Sequence, residues 1–207
     1  MRFTMTKVAL IGASGNVGTR LLKELSDRGH KVTAIARHPE KIAALPGVTA
    51  AKGDANDAVS LPGTIAGHDA VISATRFVGT DFAALAKALR TAGVSRWLVV
   101  GGAASLEVAP GKRLLDQPEF PAAYKEEATS GAAALDLLRG IADLDWTFLS
   151  PSAMFVPGKR TGTFRLGKDA LLTTAEGSSI SYEDYTIAMV DELETPKHTH
   201  QRFTVGY

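Results

Sequence analysis

Lys7-Val8-Ala9-Leu10-Ile11-Gly12-Ala13-Ser14-Gly15-Asn16-Val17-Gly18 runs from a short apolar stretch of strand character straight into a helical pattern. Glycines stand at 12, 15 and 18, at the changeover, and Val17, Leu21, Leu22 and Leu25 then recur at the spacing of one helix face. The first N–H groups of such a helix have no partner within it and lie at the positive end of its dipole, so an anion is favoured there. The stretch predicts a strand–turn–helix unit that holds a phosphate, with Gly12, Ser14, Gly15, Asn16 and Val17 around it.

Outward from this turn, apolar runs of four to six residues alternate with longer segments of helical period, the pattern of βαβ units in a parallel sheet covered on both faces. Strands are expected at 8–11, 31–36, 48–52, 70–74, 97–101 and 146–149, and helices at 16–28, 82–92 and 124–139. Gly29 and Gly93 follow two of these helices, where a C-terminus favours a residue able to take positive φ. The segment 56–66 reads as a helix broken by Pro62 and Gly63. Beyond Pro151 the alternation stops; 157–162 reads as a loop, 163–166 and 171–174 as a two-stranded piece, 182–193 as a final helix and 202–205 as a last strand. The expected architecture is α/β, a doubly wound parallel sheet in three αβα layers. It is read as one domain over 1–207, with 151–207 contributing the substrate side.

The chain has 207 residues, with Lys plus Arg 23 against Asp plus Glu 22. No basic stretch is interleaved with aromatics, so no nucleic-acid partner is indicated. Cysteine is absent, which removes disulfides and thiolate chemistry. His198 and His200 are too sparse for a metal site by themselves, and no metal is expected. The opening residues Met1 to Thr6 are too short and polar for a secretory signal, and no apolar run reaches the length of a membrane span. A soluble cytoplasmic protein, monomeric or homodimeric, is expected.

The end of the second strand bears on which dinucleotide the turn would hold. A site for NAD usually places an acid there to accept from the ribose hydroxyls, whereas a 2′-phosphate needs that acid absent and a cation close by. The residues are Ala36, Arg37 and His38, and the planar Arg37 guanidinium suits a phosphate, so NADP(H) is expected over NAD(H). Asp54, followed by Ala55, stands where an adenine amino group could be met, or where a following helix could be capped. Ser73, Ala74 and Thr75, then Gly101 and Gly102, end two further strands with small residues that let a flat ring approach the backbone.

Taken together, Gly12 to Gly18, Arg37, the Gly53-Asp54 pair, Asp145 to Pro151 and Ile180 to Tyr185 resemble the atypical short-chain dehydrogenase/reductase superfamily. The likeness is to its NmrA-like branch, which includes NAD(P)H-flavin reductases and is related to biliverdin reductase B. The resemblance covers essentially the whole chain and implies a Rossmann-like fold and a nicotinamide cofactor. One departure stands out. The superfamily commonly uses a Tyr with a Lys four residues later to protonate a developing alkoxide, but Ala128 stands four beyond Tyr124, and Thr186 and Met189 follow Tyr182 and Tyr185 at that spacing. Hydride transfer to a flavin or quinone makes a delocalised anion that can take its proton from water, so a planar acceptor suits the chain better than a ketone.

Ser105 and Tyr124 are the candidate hydroxyls at the acceptor. Phe77, Met154 and Phe155 are candidates for an apolar acceptor wall above the ends of the fourth to sixth strands, and Arg160 and Arg165 for attracting an anionic acceptor. Two other readings stand beside the reductase: a non-catalytic NADP(H)-binding redox sensor of NmrA-like type, and a nucleotide-sugar epimerase or dehydratase.

Overall fold

The computed structural model describes residues 5–207; residues 1–4, part of the N-terminal stretch considered above, lie outside it. Its strands are β1 (Lys7–Ile11), β2 (Lys31–Ala36), β3 (Val48–Lys52), β4 (Ala70–Ser73), β5 (Arg96–Val100), β6 (Glu107–Ala109), β7 (Lys112–Arg113), β8 (Asp145–Ser150), β9 (Met154–Val156), β10 (Arg165–Gly167), β11 (Ser179–Ser181) and β12 (Gln201–Gly206). The helices are α1 (Asn16–Asp27), α2 (Leu61–Ile65), α3 (Phe82–Ala92), α4 (Lys125–Arg139) and α5 (Tyr182–Glu194).

Eight strands form the main sheet in the order β10-β12-β8-β5-β4-β1-β2-β3, parallel except where β10 runs against β12. Alternate residues of each strand go to opposite faces. Val8, Leu10, Val32, Ala34, Ile72, Leu98 and Phe203 pack under Leu21, Leu22 and Leu25 of α1 and Tyr185 and Met189 of α5. Ala9, Ile11, Ile35, Val71, Trp97, Val99 and Phe148 pack under Leu61 of α2, Leu85 and Leu89 of α3, and Leu135 and Leu138 of α4. The doubly wound, Rossmann-like fold is thus built from two apolar layers, each fully buried leucine contributing about 1.5–3 kcal/mol.

The strand order reverses between β1 and β4, whose carboxyl ends Gly12 and Ala74 open the crevice where ligands of such sheets bind. Gly12 has φ +83°, and a Cβ on it would stand 2.4 Å from the Ala74 carbonyl oxygen. Its N–H donates to the Ile35 carbonyl, so this glycine joins β1, β2 and β4 at one point.

Several expectations shift. The expected broken helix shrinks to α2, because Asp57 first folds the chain by accepting from Val59 and Ser60 N–H groups. Asp54 does not cap it; its carboxylate accepts from Asn56 N–H, and α2 begins only at Leu61. The expected pair 163–166 with 171–174 does not form. Arg165–Gly167 instead adds to the sheet edge on β12, Ala170 bridges to Glu107, and Thr174 bridges to Gly177. Register there is set by a neighbour some 40 residues along the chain, beyond any local turn signal. The parallel pair β9–β11 and the β6–β7 hairpin were not foreseen, being only two or three residues per strand.

Candidate functional site

A cleft of about 590 Å³ opens at the strand-order reversal, lined by Gly12, Ser14, Gly15, Arg37, Asp54, Ala55, Ala74 and Thr75, among others. The sequence brings these together from four separate strand ends. Among the described residues no side chain caps α1, so the N–H groups of its first turn at Asn16 and Val17 stay available. Gly15 is extended, and a Cβ there would meet only the Gly12 carbonyl oxygen at 3.3 Å and the Ala74 oxygen at 3.9 Å. A larger side chain at 15 would therefore grow into the cleft. By contrast, Gly18 is fixed by packing, since a Cβ would lie 2.1 Å from the Gly12 oxygen.

Two further features suit a phosphorylated nucleotide. Arg37 is exposed on the cleft wall and has no ion pair or hydrogen bond among the described residues, while Asp54 is the one carboxylate in the lining. Thr75 also lines the cleft, and its Oγ1 is shielded from solvent without a hydrogen-bond partner. A buried hydroxyl is rarely left so unless something else completes it. The residues present thus fit a dinucleotide, which the first turn of α1 could hold at its pyrophosphate, with Arg37 available to a further phosphate.

Not every expected residue faces this cleft. Ser73 is buried, and its Oγ accepts from Trp97 Nε1–H at 3.0 Å, so it ties β4 to β5 instead. Gly101 is pressed against Phe148, whose ring a Cβ would meet at 2.4 Å, and its N–H donates to the Leu149 carbonyl. Gly102 lines a second cavity and not the cleft.

That second cavity, of about 480 Å³, is lined by Phe77, Gly102, Ser105, Tyr124 and Met154 from the expected set, and by Leu114, Gln117, Phe120 and Glu127. Its wall toward the cleft is the loop after β4, where Arg76 and Val78 line the cleft and Phe77 lines the cavity. Glu127, in the first turn of α4, fastens that wall. It accepts from Phe77 N–H at 2.6 Å, from Val78 N–H at 3.2 Å and from Arg76 Nη2–H at 3.2 Å. Phe77 stacks on Phe82 and Phe148 and fills the space over Gly131. Nothing local marks Glu127, because its partners lie about 50 residues away.

Ser105 Oγ accepts from Arg202 Nη1–H at 3.1 Å, and the Arg202 guanidinium is held in turn by Asp169. Its own proton has no acceptor among the described residues. Tyr124 precedes α4 at the cavity mouth, 67% exposed, and Met154 is 60% exposed beside it.

Three expectations are corrected. Phe155 does not line the cavity; it turns into the core against Tyr182 and Tyr185, each 4.6 Å between ring centroids. Arg160 is committed to the buried Glu24, at 2.8 and 2.9 Å, so it is not free to draw an anion. Arg165 donates to the carbonyls of Thr173 and Tyr207.

Tyr182 and Tyr185 line neither the cleft nor the cavity. Tyr185 is fully buried, donates to the Leu149 carbonyl and accepts from Gly101 N–H, and burial pushes its hydroxyl far above the ordinary tyrosine range. Tyr182 lies under the Arg20 guanidinium. His198 accepts or donates at Glu192 and stacks on Phe203, and His200 meets the edge of Trp146, so both serve the fold. No helix of the described residues is long and apolar enough to cross a membrane.

Comparison with known proteins agrees with this geometry. The uncharacterized protein YwnB of Bacillus subtilis (strain 168) is 43% identical over 211 residues, covering 96% of this chain and 97% of that protein. A crystal structure from Bacteroides thetaiotaomicron, named a "putative epimerase", is 43% identical with a TM-score of 0.93, covering 99% of this chain and 98% of its own. Another from Streptococcus pneumoniae TIGR4, named a "putative NADH-flavin reductase", is 37% identical with a TM-score of 0.82, covering 97% and 99%. A family model described as NAD(P)H-binding matches residues 12–196, from the glycine turn past the last helix, and the chain belongs to that NAD(P)H-binding family.

Proposed function

We propose that the protein is an NADPH-dependent oxidoreductase that passes hydride to a planar acceptor such as a flavin or quinone. The observation that carries this reading is the shared wall. A cleft suited to a dinucleotide and an apolar cavity lie on opposite sides of residues 76–78, and no Tyr–Lys pair stands at either.

When bound, the cofactor supplies hydride: a C–H bond of the dihydronicotinamide breaks with its electron pair, the acceptor ring gains that hydride, and a proton from water completes the two-electron reduction. The chain's own residues would bind and orient. The α1 N-terminus would hold the central pyrophosphate of the dinucleotide and Arg37 its 2′-phosphate. Phe77, with Glu127 behind it, and Phe120 form apolar surface for a flat ring, and such a ring needs orientation more than acid catalysis. Ser105 has a free hydroxyl proton to donate to the oxygen that gains charge, and the Arg202 guanidinium behind it favours that donation.

The Streptococcus relative's name accords with this reading. The Bacteroides relative's name would call for an epimerase, but epimerases of this superfamily need the Tyr–Lys pair that this chain lacks. Steady-state assays with NADPH and a panel of flavins and quinones test the proposal. Turnover with at least one planar acceptor is expected; tight NADPH binding with no oxidation by any of them overturns catalysis and leaves a cofactor sensor.

A further inference from the structure

The chemistry of the cavity lining narrows the acceptor further, and the inference rests on the reductase reading above. Among the described residues that line the cavity there is no Lys, Arg or His, but there are two carboxylates, Glu119 and Glu127. Glu127 is partly compensated by Arg76 and two backbone N–H groups. Glu119 is exposed at the rim and has no hydrogen bond or ion pair among the described residues.

The cations that sequence reasoning offered to an anionic acceptor are taken up elsewhere, Arg160 by Glu24 and Arg165 by two carbonyls. Arg113, beside the lining residue Leu114, is paired with Asp116, and Lys125 stands outside the lining next to Tyr124. A phosphate or sulfonate on the acceptor would therefore meet carboxylates in the lining and no cation there among the described residues.

One further cation acts on the cavity indirectly. Arg202 is 8% exposed and reaches the cavity only through Ser105, whose hydroxyl it polarises. That arrangement favours an acceptor that enters neutral and gains negative charge at one oxygen during reduction. We propose that the acceptor is an uncharged planar quinone, seated with a carbonyl oxygen on the Ser105 hydroxyl, and that the Glu119 rim excludes phosphorylated or sulfonated rings.

The test compares 1,4-naphthoquinone with 1,4-naphthoquinone-2-sulfonate under saturating NADPH. Both gain one hydride and one proton, as balanced above, and the chain has no cysteine for quinones to alkylate. The sulfonate withdraws electrons and makes its ring the stronger oxidant, so intrinsic reactivity favours the charged compound. The expected result is the reverse: kcat/KM for the neutral quinone higher by about threefold to tenfold at low ionic strength. The ratio should shrink with added salt and in Glu119→Gln.

Equal or better use of the sulfonate overturns the proposal, and so does a preference that neither salt nor Glu119→Gln alters. Should neither quinone oxidise bound NADPH, the quinone-reductase reading falls separately. Equilibrium dialysis of the same two compounds then decides the charge preference, with equal or tighter retention of the sulfonate overturning it.

Discussion

The two halves of the site are built in different ways. The cleft proposed for the nucleotide rests largely on backbone: unpaired N–H groups at the start of α1, and a glycine turn where β1, β2 and β4 meet. The cavity proposed for the acceptor is made of side chains from distant segments: Phe77 after β4, Ser105 after β5, Phe120 before α4, Glu127 on α4 and Met154 after β8. Backbone chemistry depends on a few adjacent residues, so it survives divergence and shows in sequence. A wall assembled from five segments can change one residue at a time, and substrate choice changes with it.

The largest expected effect separates packing from binding within the glycine turn. Gly15→Val should abolish binding of NADPH and NADH alike while the protein remains folded, because the side chain enters the cleft. Gly12→Ala should instead lower stability, by strain at φ +83° and collision with the Ala74 carbonyl. Isothermal calorimetry and thermal unfolding on the two variants check the contrast; unchanged NADPH affinity in Gly15→Val would remove the phosphate from this turn.

Arg37→Ala comes next. Losing a charged hydrogen bond to phosphate should weaken NADPH by about 1.5–3 kcal/mol and leave NADH nearly unaffected. Equal weakening of both cofactors, measured by fluorescence titration, would refute the 2′-phosphate role.

A smaller effect is expected on the cavity side. In Glu127→Gln the amide cannot accept from Phe77 N–H, Val78 N–H and Arg76 together, so the shared wall loosens. KM for the acceptor should rise by about fivefold to tenfold, with the Kd of NADPH changed by less than about twofold. A pure fall in kcat with both binding constants intact would contradict a positioning role.

The smallest effect concerns the latch that ties the loop after β9 to α1. Burial raises the Glu24 pKa, but hydrogen bonds from Arg160 and Arg28 outweigh it and hold the carboxyl below the usual range. A lowered folded-state pKa means stability that is fully present above the unfolded value of about 4.3 and is lost as pH falls through the folded one. Urea denaturation between about pH 7 and about pH 3 should show a decline toward acid that is shallower in Glu24→Gln. An identical slope in that variant would remove Glu24 from the latch.

Legibility followed the same division. Strand β2 and helix α3 fall where the hydrophobic period put them, because β2 is an inner, mostly buried strand and α3 has a capping Asp81 and a stopping Gly93. β10 was misjudged because an edge strand of three residues takes its register from β12 and not from itself. Ser73 and Phe155 were expected in the site and lie in the core, since a strand end reveals its neighbours but not which face each residue takes after the strand stops. Arg160 illustrates the converse. As a loop arginine it looked available, and only the fold shows the buried Glu24 that occupies it.

By itself the sequence determined the doubly wound sheet, the glycine turn and the placement of Arg37 at the second strand's end, because each depends on period or on residues a few positions apart. Tertiary structure alone decided which charges remain free at the acceptor cavity. Glu127 pairs with Arg76 at a separation of 51 residues, Arg202 with Asp169 at 33 and Glu24 with Arg160 at 136, and ion pairs so far apart leave no mark on the local pattern of the chain.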